Sequence, residues 1–128
     1  MHELEIKGTK ISLRHCIGVQ VSLEAAVNAI PEHEKRATFA QFVARRDYLL
    51  EHGYLRAPEK MNTEGNLPDG SNFYAIKAHG LRAYGWFSKR HKGVFYISHF
   101  ICKKRQKLLK ADTTRVVGNW RGIEEGVK

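Results

Sequence analysis

The chain changes its hydrophobic period as it runs. Leu4-Glu5-Ile6, Ile11-Ser12-Leu13 and Val19-Gln20-Val21 alternate apolar and polar residues over short runs, which predicts one or two strands. Ser22 suits the N-cap of a short helix over 23–30, and Pro31 suits the first turn of the next helix. Across 32–52, Phe39, Phe42, Val43, Leu49 and Leu50 fall on one helical face, with Glu32, Glu34, Lys35 and Arg45 elsewhere. This pattern predicts a long amphipathic helix ended by Gly53. Arg46 falls inside the apolar stripe and reads as a snorkelling side chain at its edge.

Residues 56–72, with Pro58, Gly65, Pro68 and Asp69-Gly70, show no apolar period and read as a turn-rich connection. Beyond them, 73–78, 81–88 and 94–101 have the spacing of an antiparallel meander. A last helix follows Asp112 as N-cap and carries Val116, Val117 and Trp120, with Gly118 weakening it from inside. The elements add up to an α+β fold over 1–128, a single domain with a helical layer on one face of an antiparallel sheet and a C-terminal helix.

Charge divides this chain unevenly. Residues 1–70 hold nine Lys+Arg against ten Asp+Glu, whereas 71–128 hold thirteen against three, so the formal net charge of +9 is entirely C-terminal. From 71 to 111 there are ten basic residues and no carboxylate, interleaved with aromatics. Such a block points to an anionic partner, most economically nucleic acid. A membrane-surface role requires an amphipathic basic helix, and most of these cations sit on expected strands or turns. Cys16 and Cys102 form no CxxC pair and belong to no zinc-spaced cluster, and no run approaches membrane-spanning length. The expectation is a cytoplasmic protein with reduced thiols and no cofactor.

Alternation along 81–87 sets Arg82, Tyr84 and Trp86 on one face, a cation beside two ring surfaces, which is the chemistry for holding a phosphate backbone and stacking unpaired bases. The same arrangement also describes a surface arginine flanked by half-buried aromatics. Magnesium-dependent nuclease chemistry is disfavoured because the block supplies no carboxylate ligand. Metal-free RNA cleavage needs only a group to deprotonate the 2′-hydroxyl and cations to stabilise the crowded phosphate. His99 has the proton-transfer chemistry, and Lys77, Arg82, Lys103 and Lys104 have the charge. His99 shares its expected face with Phe95, Ile97 and Ile101, which equally describes a satisfied core histidine.

The segments Phe73-Tyr74-Ala75-Ile76-Lys77, Leu81-Arg82-Ala83-Tyr84 and His99-Phe100-Ile101-Cys102-Lys103-Lys104-Arg105-Gln106-Lys107 resemble the strand core of RelE/HigB-type toxins, closest to the HigB-like, phage-related branch. The resemblance covers about 71–121. It implies a RelE-like fold and a toxin of a toxin-antitoxin system, a metal-independent endoribonuclease (mRNA interferase) that cleaves messenger RNA on the ribosome and inhibits translation. A cognate antitoxin, of helix-turn-helix type, is the implied protein partner. Carried over residue by residue, Lys77, Arg82, Lys103 and Lys104 are the cationic groups and His99 the proton-transfer group. Beside them, Tyr84 and Trp86 from the alternation of the middle strand, with Arg105 and Lys107 of the basic run, are the expected RNA contacts. Phe100 stands where the family has glycine, and Leu108-Leu109 where Thr-Pro often follows the lysines. Related folds include ParE-like gyrase inhibitors, and a non-enzymatic RNA- or DNA-binding regulator would use the same basic face.

Overall fold

A computed structural model describes residues 2–56, 60–103 and 108–126. Among these residues six strands form one sheet in the order β1-β2-β6-β5-β4-β3, namely β1 (Leu4–Lys7), β2 (Ser12–His15), β3 (Met61–Asn66), β4 (Asn72–Ala78), β5 (Leu81–Phe87) and β6 (Val94–Cys102). The helices are α1 (Val19–Asn28), α2 (Glu32–His52) and α3 (Lys110–Trp120), the last continuing into a π-helical turn, Arg121–Glu125. The class is α+β. No helix among the described residues is long and apolar enough to cross a membrane.

The β4-β5-β6 meander is antiparallel, as the spacing predicts. The sheet differs from a purely antiparallel one at β2, which runs parallel to β6 and pairs Leu13 with Phe95 and His15 with Ile97. Strand β3 lies within the stretch expected to be a connection. Its sequence, MNTEGN, carries one buried apolar residue, Met61, so no alternation announces it. A register shift between Thr63 and Gly65 lets the Phe73 ring lie over Gly65, where a Cβ would be 2.7 Å from Phe73 Cε2.

The segment 19–21 opens α1 rather than forming a strand, after Gly18 turns the chain at φ 96°. Three alternating residues fit the first turn of a helix as well as a strand. Ser22 is therefore inside the helix, and its hydroxyl donates to the Val19 carbonyl at 2.7 Å and accepts the Phe100 N–H at 3.0 Å, tying α1 to β6. Helix α2 has the expected bounds, with Gly53 in the left-handed region at φ 82°. Phe42, Leu49 and Leu50 are buried on its inner face, while Phe39 is exposed and Thr38 takes an inner position.

The helices cover both faces of the sheet, not one. On the first face Phe42 of α2 meets Phe100 of β6 at a ring separation of 5.1 Å. On the second face α3 and its π-helical turn hydrogen-bond to Trp86, Ser98 and His99. An extra residue in β6, Ser98, puts His99 opposite Tyr84 but Ile97 opposite Gly85. His99 consequently shares its face with Tyr84, Trp86 and Tyr96, and Phe95 and Ile97 point the other way.

Candidate nucleic-acid interface

Covering the second face with α3 decides the fate of the expected stacking platform. Tyr84 and Trp86 are 0% and 1% exposed. Trp86 stacks on Tyr96 at 5.4 Å and donates its indole N–H to Glu124 at 3.2 Å, and Tyr84 packs edge-on against Phe73. Their expected role as base-stacking residues is corrected: both are core aromatics, because the alternation that aligned them with Arg82 pointed them beneath a helix.

His99 is 1% exposed and lies in the same interior. Its Nε2 is 3.0 Å from Asp112 Oδ1 and its Nδ1 is 2.9 Å from Ser98 Oγ, which accepts from Asn119 Nδ2 at 2.8 Å. Burial, the largest influence, pushes the imidazole pKa down, the Asp112 hydrogen bond opposes it, and the Arg115 charge lowers it again. The ring is neutral near pH 7, with Nε2–H donating to Asp112 and the Ser98 hydroxyl donating to Nδ1. Serine, histidine and aspartate in sequence suggest a nucleophilic relay, but Ser98 is fully buried and cannot reach a substrate. Asp112 holds this chain instead of capping α3, whose N-cap is Leu109. Placed here, His99 does not reach the surface where proton transfer was expected.

The cations gather at the turn between β4 and β5. Lys77 and Arg82 are register partners there, flanking His79-Gly80. Arg45 of α2 approaches from the other side and donates to the Lys77 carbonyl, while the His79 N–H donates to Gln41 Oε1 at 2.8 Å. Together Gln41, Arg45, Lys77, His79 and Arg82 line a shallow, polar, open pocket. Arg82 is oriented by hydrogen bonds from Nη1 to the Ala78 and Leu81 carbonyls at 3.0 and 3.1 Å. Its burial lowers the guanidinium pKa, Tyr84 and Glu64 oppose that, and Arg45 adds to it; an arginine stays charged at neutral pH regardless. His79 is exposed, with Nε2 2.7 Å from Glu34 Oε1.

Lys103 adjoins this pocket through its N–H, which donates to the Gly80 carbonyl at 2.7 Å. Its ammonium is turned inward, 3.8 Å from Glu64 Oε1, with both side chains largely buried at 7% and 8% exposure. Glu64 and Asp112 reach this face from outside the acid-free block, β3 and α3 supplying what the linear sequence did not. Lys104, Arg105 and Lys107 lie outside the described residues. No group of three or more His, Cys, Asp or Glu able to hold a metal occurs among the described residues.

Of the expected site residues, the fold thus brings Lys77 and Arg82 together, places Lys103 beside them, and withdraws Tyr84, Trp86 and His99. It adds Arg45, Gln41 and His79. Arg45 carried a usable signal, since a cation on the polar face of α2 marks the side of the helix that meets solvent or a sheet edge. Which edge it meets depends on tertiary packing. No protein family, curated protein or solved structure matches the chain.

Proposed function

We propose that the chain binds RNA, seating a phosphate among Arg45, Lys77 and Arg82, and acts as a RelE/HigB-like toxin that cleaves messenger RNA on the ribosome without a metal. One observation carries the reading: three cations from three separate elements line one open pocket, with the basic 71–111 block forming two of its walls. A guanidinium held by two backbone carbonyls is fixed in the plane in which it meets a phosphate, so less ordering remains to be done on binding.

Cleavage in such a site proceeds by removal of the 2′-hydroxyl proton and attack of that oxygen on the adjacent phosphorus, which breaks the P–O5′ bond to leave a 2′,3′-cyclic phosphate and a 5′-hydroxyl that takes up the proton, with cations stabilising the developing charge. The exposed His79 imidazole is the proton-transfer group within reach of a phosphate seated there, and Glu34 orients it. Arg82 and Lys77 stabilise the phosphate, and Lys103 supports them through the Gly80 carbonyl. A cognate antitoxin of acidic character neutralises the protein by covering this basic end.

Induced expression in a bacterium, with growth and message 5′ ends as readouts, tests the proposal. Arg82→Ala abolishes growth arrest, a loss on the order of 100-fold to 1,000-fold in rate for one well-placed cation. Arg82→Lys recovers only part, since an ammonium cannot make the two-pronged contact. His79→Ala lowers cleavage by about 100-fold or more while folded His99→Gln retains it; the reverse result returns proton transfer to His99. A second reading, an RNA-binding regulator that does not cleave, is favoured by the burial of His99, and is distinguished by RNA binding with intact messages.

A further inference from the structure

The opposite end of β5 carries a second basic element, the 88–93 turn to β6, with Lys89, Arg90, His91 and Lys92. A turn of this composition is ordinarily loose, and this one is pinned from beneath. One oxygen of the Glu124 carboxylate accepts Trp86 Nε1–H at 3.2 Å and the Ser88 hydroxyl at 2.6 Å. Its other oxygen accepts the N–H groups of Lys89 and Arg90, both at 2.9 Å. Ser88 Oγ also accepts the His91 N–H at 2.9 Å, and the Arg90 guanidinium donates to the Ile123 carbonyl at 3.0 Å. Three backbone N–H groups of the turn, those of Lys89, Arg90 and His91, are held by side-chain acceptors, while the Lys89, Arg90 and Lys92 side chains are exposed.

Further charge adjoins it. The Ser12 N–H donates to the Gly93 carbonyl at 2.8 Å, and Lys7 is the register partner of Ser12, so exposed Lys7 belongs to the same end. The carboxylates nearby are engaged, Asp69 with Lys89 at 3.1 Å and Glu124 inside the turn.

We propose that the 88–93 turn is a second, pre-formed contact for the phosphate backbone of RNA, working with the Arg82 pocket roughly 20 Å away along β5, at a rise of about 3.3 Å per residue. This rests on the RNA-binding reading above. Glu124 is a positioning residue: it fixes the lysines' backbone, so the turn meets a backbone without first being ordered.

Anisotropy titrations of single-stranded RNA against the full chain over a salt series test it. Lys92→Gln lowers the slope of log affinity against log salt by about 0.7 for the one cation removed. Glu124→Gln separates geometry from charge. It makes the turn more positive, so charge alone predicts tighter binding, whereas loss of the pre-formed turn weakens binding about 2-fold to 10-fold. Ser88→Ala loosens the turn with no charge change and weakens binding in the same direction, which keeps the test decisive if Glu124→Gln does not fold. Tighter binding by folded Glu124→Gln, or an unchanged slope in the lysine variant, overturns the proposal. If Arg82→Ala weakens RNA binding and the turn variants do not, this inference alone falls. If the wild-type chain binds no RNA, both readings fall, and lysine-dependent capture of anionic vesicles in that case assigns the turn to a membrane surface.

Discussion

Acid destabilises this fold through a histidine that the proposed chemistry does not use. His15 of β2 is buried edge-on against the Phe100 ring, 6.1 Å between centroids. Burial lowers its pKa from 6.5 to about 4, the Arg46 charge adding to the effect and Glu3 opposing it. The sign follows from proton binding: between these two values the unfolded chain takes up a proton that the folded chain refuses, so stability falls as pH falls through that window. At about pH 5 the unfolded imidazole is nearly all protonated and the folded one about a tenth so, and integrating the difference from about pH 7 gives a loss of ~2 kcal/mol. His99 adds a loss of the same sign, its pKa also being lowered. Urea unfolding followed by the fluorescence of buried Trp86 and Trp120 measures this directly. His15→Gln cannot titrate in this range, so its stability should decline less between the two pH values, by ~2 kcal/mol relative to wild type. Equal pH dependence in the two proteins would refute the assignment of the acid loss to His15.

Three further outcomes rest on the packing. Gly85→Ala places a Cβ 2.1 Å from the Tyr96 carbonyl oxygen and 2.6 Å from Phe95 Cε2, and since a strand backbone cannot yield that far, thermal unfolding should show a loss of about 3 kcal/mol or more. Tyr84→Phe removes a buried hydroxyl that has no hydrogen-bond partner among the described residues; it should unfold at equal or higher urea, by ~1 kcal/mol, and bind RNA as wild type does. Glu64→Gln leaves the buried Lys103 ammonium without its carboxylate and should cost ~3 kcal/mol, part of which Lys103→Met recovers in the double variant.

Helix α2 was legible because its apolar stripe, its acidic first turn and Gly53 all agree over 21 residues. The meander was legible because its turns carry glycine at positive φ, Gly80 and Gly93. Strand β3 was not: an edge strand needs hydrogen bonds on one side only and little apolar side chain, so MNTEGN resembles a loop. The parallel β2-β6 pairing was equally hidden, since it joins segments some 80 residues apart and no local period reports it. At the site, charge located the cations and register explains why Lys77 and Arg82 meet. Alternation alone could not say whether Arg82, Tyr84 and Trp86 faced solvent or a helix, and the same residues satisfy both arrangements until Asp112, Asn119 and Glu124 dock α3 against them.

The parallel β2-β6 contact also governs how the protein is made and how it fails. Residues 94–100 of β6 are buried without interruption, and the N-terminal hairpin is what covers the outer edge of that strand. During synthesis the hairpin emerges first and must wait for its partner, while the local β4-β5-β6 turns close quickly once made. In that interval, and in any chain that loses the hairpin, Val94-Phe95-Tyr96-Ile97 is an open edge rich in aromatic and β-branched residues with no charge to deter a neighbour. Intermolecular strand addition at this edge is therefore the expected route to aggregates, and proteolytic removal of the first two strands should drive the chain into aggregates before it abolishes secondary structure.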